Sequence, residues 1–280
     1  MPGRELLSVA AVDLEHGGEN AAGQNDLALY DLVRARNRTD PDFTHGLFDN
    51  LSDPKPQQGR VIPLIGNTAL FSLGPNENGE YPRYDQTNLV LAHPKWNGNC
   101  EERRKAELVS SIYPAFDLVV ARHGTRKPGL SYALCHEKAS PVVWNAIRGF
   151  GMEHILHTDA PTQAGVLYNY LAIDLPPDSE FIATKIYDVL AGIATGEQFE
   201  QRRAIKRYQG GPNITIAAAR KYQLPPMEPF EPFEPFGERA VAALGLSPGT
   251  VSITGSMYGQ DPTWFSETGI ELSQHMLAQV

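Results

Sequence analysis

Six short apolar runs, each separated from the next by polar or helix-like sequence, restrict the fold of this chain more than any other feature. They are "SVAAV" (8–12), "RVIPLIG" (60–66), "FDLVVA" (116–121), "YALCH" (132–136), "HILHT" (154–158) and "YLAIDL" (170–175). Each is seven residues or shorter and rich in Val, Ile, Leu or Tyr, which reads as a strand. Between several of them the period changes to that of a helix. "NDLALYDLVRAR" spaces Leu27, Tyr30 and Val33 three apart, and "EERRKAELVSSIY" sets Leu108, Val109 and Ile112 on one face. "PVVWNAIRGF" and "SEFIATKIYDVLAGIA" follow the same rule. Strands alternating with helices predict an α/β layer structure, a mostly parallel or mixed sheet flanked by helices. In such sheets ligands gather outside the carboxyl ends of the strands.

The pattern changes after about residue 197. "QLPPMEPFEPFEPFGE" repeats proline every third residue, which a regular helix does not tolerate. It reads as a recognition segment in polyproline conformation or as an extended loop anchored by Phe230, Phe233 and Phe236, the latter favoured. Beyond it "TVSITGSMYG" alternates as a strand does. The expected division is an α/β domain over 1–197 and a smaller C-terminal β-rich domain over 198–280.

Charge narrows the choice of partner. A net charge of −9 argues against nucleic acid or an anionic membrane surface, since both call for clustered Lys and Arg. No uninterrupted apolar stretch approaches 18 residues, and "MPGRELLSVAAVDLEHGG" is broken by charge too early to serve as a signal peptide. The expected address is cytoplasmic. Cys100 and Cys135 lack CxxC spacing and read as buried thiols.

The strand ends carry the candidate chemistry. "LEHGGEN" follows the first strand, and two glycines separate His16 from Glu19, so a tight turn can bring both side chains to one point. An imidazole and a carboxylate there are two of the three protein ligands in catalytic Zn2+ sites of the two-histidine, one-glutamate type. The same residues also suit a solvated glutamate beside a capping histidine, with Asn20 capping the following helix. A third ligand is offered by His123, which follows Val119-Val120-Ala121 as His16 follows its own strand. In a parallel sheet both would emerge at one edge; the competing reading is a satisfied strand-end histidine. His154, His157 and Asp159 form a second cluster, but residues three apart on a strand face opposite ways, so a structural role is expected. Ser131 and Cys135 lie in no nucleophile motif, and no GxGxxG or Walker loop is present.

An ordered series of motifs now resembles a known family, the aspartoacylase and succinylglutamate desuccinylase group of zinc amidohydrolases, relatives of the zinc carboxypeptidases. "VAAVDLEHGGENAAG" resembles its strand followed by HGxE, "IGNTAL" its GNPxA, and "RYDQTNL" its RY and DxNR segment. "LVVARHGT" is similar to its DLHxT, "YLAIDLPP" to its GIEVGP, and "LGLSPGT" to the HPGD region of its C-terminal β domain. The resemblance implies that His16, Glu19 and His123 bind Zn2+ with a water at the open position. It implies Asp174 as general base and acid, Arg83 as oxyanion stabiliser and Asn88 as a substrate-holding residue.

Several positions depart from the family pattern. Asp174 stands where the family has glutamate, and Leu89 follows Asn88 where the family has arginine. Ala121 replaces the Asp of DLH, removing a group expected to orient a metal ligand, and Ala164 falls where a carboxylate-binding arginine is expected. These losses argue against an acidic amino-acid product. Arg122, Arg126 and Lys127 offer a replacement anion site, or are solvated charges. The function expected is zinc-dependent hydrolysis of a C–N amide bond in a small N-acylated amino acid or related metabolite. The alternatives are a carboxypeptidase-like peptidase and a non-catalytic zinc-containing binding protein. The expected partner is the small-molecule amide substrate, and the sequence leaves open whether the chain forms a homo-oligomer.

Overall fold

The computed structural model describes residues 5–15, 27–40, 54–75, 100–124, 131–158, 163–175, 182–210, 251–253 and 264–266. All six expected runs are strands: β1 (Ser8–Asp13), β2 (Arg60–Ile65), β3 (Leu118–Gly124), β4 (Tyr132–His136), β5 (His154–Thr158) and β6 (Tyr170–Leu175). With β7 (Lys206–Gly210) they form one sheet in the order β2-β1-β3-β6-β4-β5-β7. Every neighbouring pair is parallel except β4 with β6. The fold is therefore α/β with a mixed sheet.

The central strands are buried on both faces, which explains why their sequences run apolar without alternating with polar residues. On one face Val9, Ala11, Leu118, Val120, Leu171 and Ile173 pack with residues of helices α1 (Ala28–Arg38), α4 (Pro141–Phe150) and α6 (Ala183–Ala194). On the other face Ala10, Val12, Val119, Ala121, Tyr170 and Ala172 meet Leu108, Ile112 and Tyr113. Those last three belong to a continuous segment: helix α3 (Cys100–Glu107), a π-helical turn over Leu108–Ile112 and a 3-10 turn over Tyr113–Ala115. Helix α4 shows how local sequence sets an element's limits. Ser140 accepts from the Val143 N–H, Pro141 opens the first turn with its preset φ, and Gly151 closes the helix in the left-handed region at φ 67°. Helices α2 (Thr68–Leu73) and α5 (Gln163–Val166) are short connectors.

The sheet includes a strand that lies after residue 197. Strand β7 pairs in parallel with β5, His154 opposite Lys206 through Thr158 opposite Gly210. "KRYQG" carries no apolar run, and at the end of the strand order it pairs through its backbone alone with β5. In the C-terminal part, β8 (Val251–Ile253) and β9 (Trp264–Ser266) form an antiparallel pair, and the Pro-Glu-Phe tract lies outside the described residues. Among the described residues no helix is long and apolar enough to cross a membrane.

The entrance to β3 is fastened to the start of β1 through a carboxylate. Asp117 Oδ2 accepts from the Ser8 N–H at 2.8 Å, the Ser8 hydroxyl at 2.7 Å and the Gln58 amide at 3.3 Å. Burial works to raise the Asp117 pKa, but the hydrogen bonds from Ser8 and Gln58 prevail and lower it. A carboxylate with a depressed folded-state pKa contributes stability above its unfolded pKa and loses it as pH falls through the folded value. Asp117→Ala is expected to cost about 1–2 kcal/mol at neutral pH. Urea unfolding at neutral and at acid pH should show that difference shrinking once the carboxylate protonates; a pH-independent cost would mean that packing, not charge, holds this corner.

Candidate functional site

The carboxyl ends of β1, β3 and β6 lie side by side, and the site begins where β1 stops. Leu14 adopts a left-handed φ of 53°, unusual for a residue with a side chain. Its side chain nevertheless stays buried, packed with Tyr30 and Ile65 and flanked by Leu27 and Phe71. The backbone therefore swings while Leu14 anchors it. Two hydrogen bonds brace the turn from the end of β2: Gly66 N–H to Asp13 O at 2.9 Å and Asn67 N–H to Leu14 O at 2.8 Å. The approach is close enough that a Cβ on Gly66 would stand 2.4 Å from Glu15 Cα. Only glycine fits there. This is the Gly-Asn of the "IGNTAL" motif, and its place in the structure is beneath the strand end that leads to His16.

The braced turn delivers Glu15 to His123. Glu15 Oε2 lies 3.2 Å from His123 Nε2, with both side chains buried. Oε1 accepts the Tyr113 hydroxyl at 2.6 Å, and Oε2 accepts the Tyr170 hydroxyl at 2.8 Å. The two tyrosine rings pack against each other with centroids 5.6 Å apart. Asn169 fixes their backbones together, donating to Tyr113 O at 2.9 Å and Phe116 O at 2.7 Å just before β6 begins. Burial alone would raise the Glu15 pKa, but His123, the charge of Lys105 and the Tyr113 hydroxyl hold it down at about 2. Burial and the neighbouring carboxylate push Tyr113 well above its ordinary value, so its hydroxyl stays a donor.

Behind this cluster lies a buried ion pair. Arg122 Nε donates to Asp13 Oδ1 at 2.8 Å, with side-chain exposures of 8% and 0%. Asp13 Oδ2 accepts the Tyr30 N–H at 2.8 Å, tying the first turn of α1 to the end of β1. Arg122 is therefore not a solvated charge, and its Nε is engaged within the protein.

The expected site residues separate into three groups. His123 is the buried partner of Glu15 on β3. Asp174 is its register partner on β6, with His123 opposite Asp174 and Gly124 opposite Leu175. His16, Glu19, Arg83, Asn88 and Arg126 lie outside the described residues, as do Asn20, Lys127 and Asp159. Glu15, Asp13, Tyr113 and Tyr170 escaped the sequence reading. His157 takes the structural part expected of it: buried beside Trp144, its Nδ1 lies 3.7 Å from Cys135 Sγ. Burial pushes the Cys135 thiol up to about 12, which removes it as a thiolate nucleophile.

Whether this edge suits a metal depends on its donors. Among the described residues no group of three His, Cys, Asp or Glu side chains is placed to hold one. His123 Nε2 lies 3.2 Å from a carboxylate oxygen, the kind of neighbour that metal-ligating imidazoles often keep. The chain leaving Glu15 runs directly into His16-Gly17-Gly18-Glu19. His16 and Glu19, the other two donors expected from the sequence, lie outside the described residues.

No protein-family model matches the sequence, and no curated protein matches it. Solved structures with a similar chain path include the succinylglutamate desuccinylase of Chromobacterium violaceum, 16% identical, covering 74% of this chain and 68% of that one at a TM-score of 0.48. A succinylglutamate desuccinylase/aspartoacylase from Rhodobacter sphaeroides is 17% identical, covering 75% and 64% at 0.44. Murine aminoacylase 3 is 16% identical, covering 68% and 63% at 0.42. This chain spans about two thirds of the length of each. At these identities the likeness is one of chain path, and no residue role is carried across from it.

Proposed function

We propose that the chain is a zinc-dependent amidohydrolase that cleaves the C–N bond of a small N-acylated amino acid or related metabolite. The observation that carries this reading is the convergence at one sheet edge. Glu15 reaches His123 as the chain enters His16-Gly17-Gly18-Glu19, and Asp174 stands in register with His123 on the next strand. The ordered motifs identified in the sequence support it.

His16, Glu19 and His123 would hold the metal. Bound there, zinc would supply the Lewis acidity that makes water nucleophilic near neutral pH and polarises an amide carbonyl. Asp174, at the end of β6, would take the proton from the attacking water and return it to the departing nitrogen. Arg83 would stabilise the oxygen on which negative charge develops, a task suited to a fixed guanidinium. Asn88 and Arg126 would hold the substrate. Arg122 contributes from behind, through Asp13 and the end of β1. Tyr113 and Tyr170 give the site a buried wall.

Elemental analysis of the purified protein is expected to find about one zinc per chain, as in single-metal hydrolases. The double variant His16→Ala/His123→Ala should lose it, and full metal retention there would overturn the ligand assignment. A panel of N-acyl amino acids and short peptides, assayed with and without a chelator, then tests the reaction. Turnover confined to C-terminal peptide bonds would replace the acylase reading with a peptidase one, and metal without turnover would make the chain a binding protein.

A further inference from the structure

Folding strips water from a buried polar atom, so one that finds no partner inside the protein costs stability and calls for an explanation. Gln163 carries such an atom. It opens α5 and is only 4% exposed, and its side-chain Nε2 has no hydrogen-bond partner among the described residues. Its backbone is engaged in the ordinary way, Gln163 O accepting the Leu167 N–H at 2.9 Å. Helix α5 packs against β4 and β6. The next residue, Ala164, belongs to the apolar cluster that also holds Ala121, Tyr170 and Ala172, on the face of the sheet from which Tyr113 and Tyr170 reach Glu15. Ala121 and Ala172 stand opposite each other, two residues before His123 and Asp174 on the same strands. The amide is thus carried on the sheet face that leads to the proposed reaction centre. Its chemistry differs from that of Arg122, whose Nε is committed to Asp13. A neutral N–H donor suits a carbonyl oxygen, where a guanidinium suits a carboxylate.

We infer that Gln163 is a substrate-binding residue whose side-chain amide donates to a carbonyl oxygen of the N-acyl amino acid. The class of ligand rests on the amidohydrolase reading above; the burial of an unpaired amide is a property of the protein alone. A group that lowers stability and is satisfied only by ligand belongs with the functional residues for which proteins give up stability.

Gln163→Met keeps the length of the side chain and removes its amide, and two measurements on the purified full chain then separate the possibilities. Urea unfolding without ligand should give Gln163→Met a midpoint equal to or above that of wild type, since the unpaired group is gone. Ligand binding is read by calorimetry with ketone analogues of N-acetylalanine and N-acetyl-leucine, in which a methylene replaces the amide N–H, so that the carbonyl remains but hydrolysis cannot occur. Affinity should fall about tenfold in Gln163→Met, the loss of one hydrogen bond together with an unpaired ligand carbonyl. With the N-acyl amino acids themselves, KM should rise while kcat stays close to wild type, the sign of binding energy shared by ground and transition states. A lower midpoint or failure to fold would show that the amide is paired within the protein and would overturn the inference. Unchanged affinity in the variant, or no binding of either analogue by wild type, would overturn it as well. Wild type that binds the analogues through Gln163 yet hydrolyses none of the corresponding amides would overturn the hydrolase reading and leave the inference standing.

Discussion

Asp13→Ala should destabilise the protein by about 3–5 kcal/mol, the usual cost of removing one member of a buried ion pair. Asp13 is fully buried, and its two oxygens serve Arg122 Nε and the Tyr30 N–H. Removing it leaves a guanidinium inside the sheet–helix layer and frees the first turn of α1 from the end of β1. The loss would appear as a lower urea midpoint with an unchanged slope. Asp13→Ala/Arg122→Met should recover most of it, because a buried pair replaced by apolar groups of similar volume is often neutral or better. If Asp13→Ala unfolds like wild type, the pair is not the fastening described. If the double variant recovers stability yet loses substrate affinity, Arg122 also has the anion-binding part considered from the sequence.

Asp174→Asn is expected to keep fold and zinc while losing about 10²- to 10⁴-fold in turnover, the range typical of general acid–base catalysis. The amide is nearly isosteric but accepts no proton. The expectation follows from the proposed role of Asp174 and from its register with His123 across the β3–β6 pair. Asp174→Glu is the sharper comparison, since it adds one methylene to the reach of the carboxylate. Activity within about tenfold of wild type, roughly 1.4 kcal/mol in the barrier, would show that the edge accommodates the longer arm. Wild-type turnover in Asp174→Asn would assign the proton to another group, with Asp159 the next to test.

The sheet's interior was legible in the sequence because its strands are buried on both faces, and such strands must be continuously apolar wherever they occur. Strand β7 was not, because an edge strand can be as polar as "KRYQG" and still pair through its backbone. His123 was recognisable from its place after an apolar run. Its partner was not: Glu15 gains its meaning from Tyr113 and Tyr170, and nothing local announces that two hydroxyls from distant segments will meet on one carboxylate. Arg122 misled for a similar reason. A basic residue beside Arg126 and Lys127 reads as part of a surface cluster, yet strand alternation turns it inward onto Asp13.

The contact between Gly66 and Glu15 bears on how such a chain can diverge. Most packing contacts join two side chains, so descendants can drift by compensating exchange, one residue growing as its neighbour shrinks. Here one participant is a hydrogen and the other is main chain, with an added Cβ left only 2.4 Å of room. No change at residue 15 can relax the demand at residue 66, because the obstructing Cα is common to every amino acid. Glu15 can be exchanged while Gly66 stays, but Gly66 cannot be exchanged while the β1 end keeps its course. Lineages descending from this chain are therefore expected to vary the carboxylate long before the glycine, and a sequence that has lost the glycine should have rebuilt the whole strand end.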